Sequence, residues 1–226
     1  MQIKDKTTSE CTDYKKEPIL AIKGYDEMPP FFMSLISRDN LWAFISSRGS
    51  LTAGRESAEK SIFPYVTVDK IHDNYGATGP RTMIRLEGND LWEPFTPHAA
   101  KEPDIERTLS KGILGNSICF EEKRVRDGLS FKYRWQPAGR FGLARTACLE
   151  NCSNQTVKLN ILDGIANILP PGLDSRMQAN SSVLTDAYKQ SELQSNSRMA
   201  LYSTASGITD RPEPMENLRA NCAWSS

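Results

Sequence analysis

The chain has 226 residues, and its 28 Lys and Arg side chains balance its 28 Asp and Glu side chains, so the formal net charge is zero. Nucleic-acid-binding proteins and polybasic membrane-surface proteins normally carry a basic excess, so this balance argues against both kinds of partner. Hydrophobic residues make up 38% of the chain and charged residues 25%, which is typical of a globular protein rather than of a disordered tail.

The sequence shows no signal for a membrane or for secretion. The longest apolar stretches, such as residues 19–22 and 165–169, fall far short of the ~20 residues that span a bilayer, and residues 1–11 are polar. The five cysteines form no disulfide framework and, with only two histidines, no zinc-site spacing. We therefore expect a cytoplasmic protein without a bound metal or cofactor.

The N-terminal part of the chain differs in composition from the rest. Residues 1–30 are rich in Lys and Glu and close with Pro29 and Pro30, which predicts an irregular segment. Within it, residues 19–22 are predicted as a short edge strand. We expect residues 31–226 to form a single β-sandwich domain.

Period-two alternation of apolar and polar residues is the main structural signal and indicates strands. Phe131, Tyr133 and Trp135 alternate with Ser, Lys and Arg, and the Asp-Gly dipeptide at 127–128 is typical of a tight hairpin turn. Residues 116–163 are therefore predicted to form a four-stranded antiparallel meander.

Two regions depart from this alternation. Residues 96–115 contain two prolines and are predicted to be mostly loop, whereas residues 181–194 have the apolar spacing of a short helix. Beyond the helix, a last alternating stretch carries Trp224, which is expected in the core together with Trp135.

About a dozen strands are expected in all, with one or two short helices. A sheet of that many strands usually splits into two packed layers. The sequence therefore predicts the all-β class and a large antiparallel β-sandwich.

Common catalytic signatures are not present in the sequence. His72 and His98 are the only histidines, no G-x-S-x-G nucleophile elbow occurs, and no glycine-rich phosphate loop occurs. Glu121 and Glu122 are adjacent on a predicted strand, so they face opposite sides and cannot act as an acid–base pair. No catalytic residue is assigned.

Five residues are candidates for ligand binding. Arg48 and Arg55 stand among small residues, where arginine can grip hydroxyls or carboxylates or can fix loops by bonding backbone carbonyls. His72 is followed by Asp73, a carboxylate that can assist a histidine. Trp92 lies beside Glu93 and could stack on a sugar ring or serve as a core or interface anchor.

Several segments resemble the N-terminal part of cellobiose phosphorylase-like bacterial enzymes and their six-hairpin glycosidase relatives. The resemblance covers roughly residues 40–226. It is carried by seven segments: residues 46–55 (SSRGSLTAGR), 63–73 (FPYVTVDKIHD), 91–95 (LWEPF), 107–122 (RTLSKGILGNSICFEE), 133–146 (YRWQPAGRFGLART), 162–172 (LDGIANILPPG) and 183–189 (VLTDAYK).

The resemblance implies a specific architecture and role. Such enzymes begin with a β-supersandwich akin to the galactose mutarotase-like fold, and an (α/α)6 catalytic barrel follows it. This chain would then be an N-terminal domain excised from a longer protein, and no catalytic residue can be carried over. The implied function is a non-catalytic domain of a glycoside hydrolase or phosphorylase that packs on the C-terminal catalytic domain of the same chain, with a homodimer as its assembly.

Two alternative functions stay open at the sequence level. A free-standing carbohydrate-binding module would bind an oligosaccharide in a groove lined by Trp92 or another aromatic side chain. An aldose mutarotase-like enzyme would use His72 or His98 with a carboxylate.

Overall fold

The computed structural model describes residues 18–97, 103–207 and 218–226. In these ranges the chain forms fourteen β-strands and two short α-helices. The helices are α1 (Ser175–Asn180) and α2 (Ser182–Tyr188). The strands are β1 (Ile19–Lys23), β2 (Phe32–Leu35), β3 (Leu41–Ser46), β4 (Leu51–Arg55), β5 (Gly79–Leu86), β6 (Leu91–Trp92), β7 (Ile105–Gly112), β8 (Ile118–Arg124), β9 (Leu129–Pro137), β10 (Leu143–Asn151), β11 (Leu159–Ala166), β12 (Lys189–Leu193), β13 (Met199–Thr204) and β14 (Asn221–Trp224).

The strands form four antiparallel sheets. The largest has the order β1-β7-β8-β9-β10, and the three-stranded sheets are β2-β3-β4, β11-β5-β6 and β12-β13-β14. The predicted all-β class is confirmed, and β1 confirms the short edge strand predicted at residues 19–22. In the ranges given above, no helix is long and apolar enough to cross a membrane.

One apolar core lies between the five-stranded sheet and the sheets β2-β3-β4 and β11-β5-β6. Alternation places one face of each strand inward, where its side chains lose contact with water. Inward residues of the smaller sheets include Ile45, Leu51, Ile84 and Trp92. The five-stranded sheet contributes Leu109, Ile118, Phe120, Leu129, Phe131, Tyr133 and Trp135.

The predicted four-stranded meander is correct for its first three strands only. β8, β9 and β10 are successive neighbours, and Gly128 provides the turn of the first hairpin with a φ of 64°. β11 instead pairs with β5 in another sheet. Residues 152–158 connect β10 to β11 and are long enough to reach the other layer, which alternation alone does not reveal.

Two further predictions need correction. The predicted loop over residues 96–115 contains β7, whose inward face carries Arg107 as well as apolar residues. Because the buried residue Arg107 is charged, the sequence of β7 does not show the apolar–polar alternation that predicts a strand. The helix predicted over residues 181–194 ends at Tyr188, because Lys189 is extended and β12 pairs with β13 from that point.

The two tryptophans that were both expected in the core have different environments. Trp135 is fully buried on β9 of the five-stranded sheet, as predicted, whereas Trp224 is 59% exposed on β14. The expectation for Trp224 is wrong because β14 belongs to the sheet β12-β13-β14, which contributes nothing to the core within the described ranges.

Candidate functional site

A cavity of about 300 Å³ opens beside the core. It lies at the N-terminal end of β5, next to the segment that follows β6. This volume lies at the lower end of the range for small-molecule sites. Its polar lining consists of Arg48, Tyr75, Thr78, Arg81, Thr82, Glu93, Thr96 and Tyr133, and Phe95 and prolines supply apolar surface.

Three of these lining side chains have no hydrogen-bond or ion-pair partner for their polar groups within the described part of the chain. They are the exposed guanidinium of Arg48, the half-buried carboxylate of Glu93 and the buried phenol of Tyr133. Arg81 uses only Nη1, which donates to the carbonyl of Gly76 at 3.3 Å. The cavity therefore offers arginine donors and one carboxylate that no described protein group occupies.

Tyr133 is positioned by the packing of β9 against β8 and β10. Its ring stacks on Phe120 with centroids 5.0 Å apart, and the guanidinium of Arg145 lies 5.0 Å from its centre. Gly49, with a φ of 87°, lies so close that an added Cβ would be 3.0 Å from the Tyr133 hydroxyl. Burial raises the pKa of Tyr133 well above its usual value, so the phenol stays neutral in alkaline solution as well.

A buried carboxylate on β8 fixes the segment that walls the cavity. Glu122 accepts hydrogen bonds from the indole Nε1 of Trp92 at 2.6 Å and from the backbone N–H of Phe95 at 2.5 Å. Arg107, its cross-strand neighbour on β7, donates from Nε to Glu122 at 2.8 Å and from Nη2 to the carbonyl of Thr96 at 2.7 Å. This network, Trp92–Glu122–Arg107, holds residues 92–96 on the core.

The structure places one predicted site residue at the cavity and a second one near it. Arg48 lines the cavity, and its backbone N–H donates to the Ser46 hydroxyl at 3.0 Å. The same hydroxyl lies 2.8 Å from Nδ1 of His72, so His72 supports the turn that presents Arg48.

The other predicted residues lie apart from the cavity. Arg55 donates to the backbone carbonyls of Asp39 and Arg140, which fixes two loops. Asp73 is exposed in a short 3-10 turn. Trp92 is only 3% exposed and belongs to the core, so it offers no surface for stacking a sugar. His98 lies outside the described residues.

Sequence reasoning missed Glu122, Arg107 and Tyr133. Tyr133 alternates with polar neighbours, so its place on the inward face of a strand was predicted, but its hydroxyl was given no role. The alternation of β8 also places Glu122 on the same face as Phe120, and a carboxylate at a core position needs buried partners. That pattern was the available signal for the network.

Comparisons with known proteins add no assignment. No protein-family model matches the sequence, and no curated protein matches it. In the parts of the chain that the structure describes, no three His, Cys, Asp or Glu side chains lie together in a way that could hold a metal ion. The resemblance to cellobiose phosphorylase-like enzymes therefore stays a prediction.

Proposed function

We propose that this chain is a non-catalytic β-sandwich domain of a carbohydrate-active enzyme, a glycoside hydrolase or phosphorylase, that packs against an (α/α)6 catalytic domain of the same protein. One observation carries the packing part of the proposal. The sheet β12-β13-β14 carries two exposed large apolar side chains, Leu193 and Trp224, and contributes no residue to the core within the described ranges. A sheet in a folded domain normally buries its apolar face against a second layer.

The surface is a patch of four apolar side chains, of which Phe141 and Trp224 are exposed and the two on β13 are half-buried. Met199 is directly opposite Trp224, and Leu201 lies two residues further along the same face of β13. Phe141 packs edge-on against Trp224, with ring centroids 6.2 Å apart, and is itself 61% exposed. We call Phe141, Met199, Leu201 and Trp224 the Trp224 patch. Contiguous apolar surface that is at least partly exposed marks interaction sites in natural proteins.

The carbohydrate part of the proposal is supported by the sequence. The seven segments that resemble the cellobiose phosphorylase-like enzymes run from residue 46 to residue 189, and many of them coincide with strands of the sandwich. The all-β architecture is the one that this resemblance implies for the N-terminal end of such enzymes.

Hydrogen exchange tests the proposal. Backbone amides of β12, β13 and β14 are expected to exchange more slowly in the natural full-length protein than in this chain alone, because a catalytic domain would cover them. Trp224→Ser in the full-length protein should weaken that protection and lower glycosidase or phosphorylase activity. Val183→Ser on α2, at a position 83% exposed, is the matched control and should change neither.

Two results would overturn the proposal. One is equal exchange of these three strands in both forms. The other is a full-length protein that lacks a helical catalytic domain or acts on no glycoside.

A further inference from the structure

The cavity beside β5 has features of a binding site that the packing proposal does not use. Its three unpartnered groups, Arg48, Glu93 and Tyr133, come from separate parts of the chain and border one volume of about 300 Å³. The Arg48 and Glu93 side chains do not pair with each other or with another described residue, so both charges stay available.

The hydroxyl of Tyr133 is the most informative of the three. The side chain is only 3% exposed, but its hydroxyl oxygen is not among the fully buried polar atoms, so it is accessible to a hydrogen-bond partner. No described residue supplies one. The hydroxyl lies against Gly49, which itself lines the cavity, so the partner would reach it from the cavity.

The charges of the lining favour an acidic group on the ligand. Arg48 and Arg81 outnumber Glu93, which leaves a net positive lining. Arginine recognises carboxylates and phosphates through charge-assisted hydrogen bonds, and both guanidinium groups retain free N–H donors.

The remaining polar groups favour hydroxyls on the same ligand. Glu93 needs donors, and Tyr133 can donate to or accept from a hydroxyl. Tyr75 donates its own proton to the carbonyl of Phe95 at 3.3 Å, which leaves its oxygen free to accept. Phe95 adds an apolar surface for the C–H face of a ring.

We propose that this cavity binds a small polyhydroxylated molecule that carries one acidic group, the chemistry shared by sugar acids and sugar phosphates. Arg48 and Arg81 bind the acidic group, and Glu93 and Tyr133 bind hydroxyls. The Trp92–Glu122–Arg107 network keeps residues 93–96 in place as the wall of the site. This inference is independent of the Trp224 patch and of any catalytic domain.

Isothermal titration calorimetry on the full chain tests the inference with four probes: glucuronate, glucose 6-phosphate, glucose and inorganic phosphate. We expect at least one of the two acidic sugars to bind, with glucose and inorganic phosphate each about tenfold weaker or more, because each lacks one class of contact. The stronger of the two acidic sugars identifies the acidic group.

Variants locate the binding. Arg48→Gln should weaken binding of the acidic sugar about tenfold and bring its affinity close to that of glucose. Tyr133→Phe should weaken binding severalfold without loss of stability, since the hydroxyl has no partner among the described residues. Arg85→Gln is the control, because Arg85 is an exposed arginine on the same strand as Arg81 but does not line the cavity.

Three outcomes would overturn the inference. They are the absence of binding by either acidic sugar at millimolar concentration, equal binding of glucose or of inorganic phosphate, and binding that neither Arg48→Gln nor Tyr133→Phe changes. Circular dichroism spectra that match the wild-type chain confirm that each variant is folded.

Discussion

Strand β9 of the five-stranded sheet and strand β14 of the sheet β12-β13-β14 both alternate in sequence, but their environments are opposite. The inward faces of β8 and β9 carry Phe120, Tyr133 and Trp135, all essentially without solvent contact. On the other sheet, Leu193 and Trp224 lie on opposite faces and are 75% and 59% exposed. Alternation determines which residues share a face, but the cover over that face comes from residues distant in sequence.

The difference has an energetic consequence. Burying apolar surface contributes roughly 25 cal/mol per Å², so side chains at the covered sheet contribute far more to the free energy of unfolding than equivalent side chains at the open sheet. The same substitution should therefore give different effects in the two regions.

The largest effect is expected where a charge pair lies inside the covered region. Arg107→Met leaves the carboxylate of Glu122, which is fully buried, without its charged partner. Removing one member of such a pair costs about 3–5 kcal/mol. Urea denaturation followed by circular dichroism measures the change.

The neighbouring exposed pair is the control for that effect. Lys123 lies 3.8 Å from Glu121 on the outward face, and Lys123→Met should change the free energy of unfolding by less than about 1 kcal/mol. Adding Glu122→Leu to Arg107→Met should recover part of the lost stability. A loss below about 1 kcal/mol for Arg107→Met would show that Glu122 finds other compensation.

Two glycines allow a crowded position on a strand to be compared with an open one. A Cβ at Gly54 on β4 would lie 2.5 Å from the Trp42 ring and 2.7 Å from the carbonyl oxygen of Lys60, whereas a Cβ at Gly164 on β11 meets nothing within 4 Å. Gly54→Ala should cost about 1–3 kcal/mol through overpacking. Gly164→Ala should be neutral or slightly stabilising, because alanine restricts the unfolded chain. Thermal denaturation of both variants checks the contrast, and equal melting temperatures would contradict it.

Alkaline pH should weaken the covered region through its tyrosines. Burial raises the pKa of Tyr25 and of Tyr133 above the ordinary value of 10.0. Above pH 10 the unfolded chain releases these protons while the folded chain keeps them, so the free energy of unfolding falls as pH rises. Each such tyrosine contributes a slope of up to about 1.4 kcal/mol per pH unit.

Urea denaturation between pH 9 and pH 11 measures that slope. Tyr133→Phe should reduce it, because phenylalanine has no proton to lose. An unchanged slope in this variant would mean that the Tyr133 hydroxyl ionises in the folded chain as readily as in the unfolded chain.

The fold was more predictable than the site. Alternation identified β9 through Phe131, Tyr133 and Trp135, because a covered strand repeats its pattern locally. It missed the role of Glu122, because that carboxylate is compensated by Trp92 and Arg107, which are distant in sequence. It likewise could not show that β11 leaves the meander. Of the five predicted ligand residues, only Arg48 lines the cavity, since loop residues are brought together by contacts that no local pattern encodes.

The smallest effect is expected at the open sheet, where two tryptophans can be compared directly. Trp135→Ser should cost about 3–5 kcal/mol, as much as Arg107→Met, because Trp135 is fully buried. Trp224→Ser should cost less than about 1 kcal/mol in this chain, since the side chain keeps most of its contact with water and packs chiefly on Phe141. Chemical denaturation measures both. If Trp224→Ser were as costly as Trp135→Ser, the Trp224 patch would already be covered in the isolated chain, and the surface proposed for the catalytic domain would not be free to bind it.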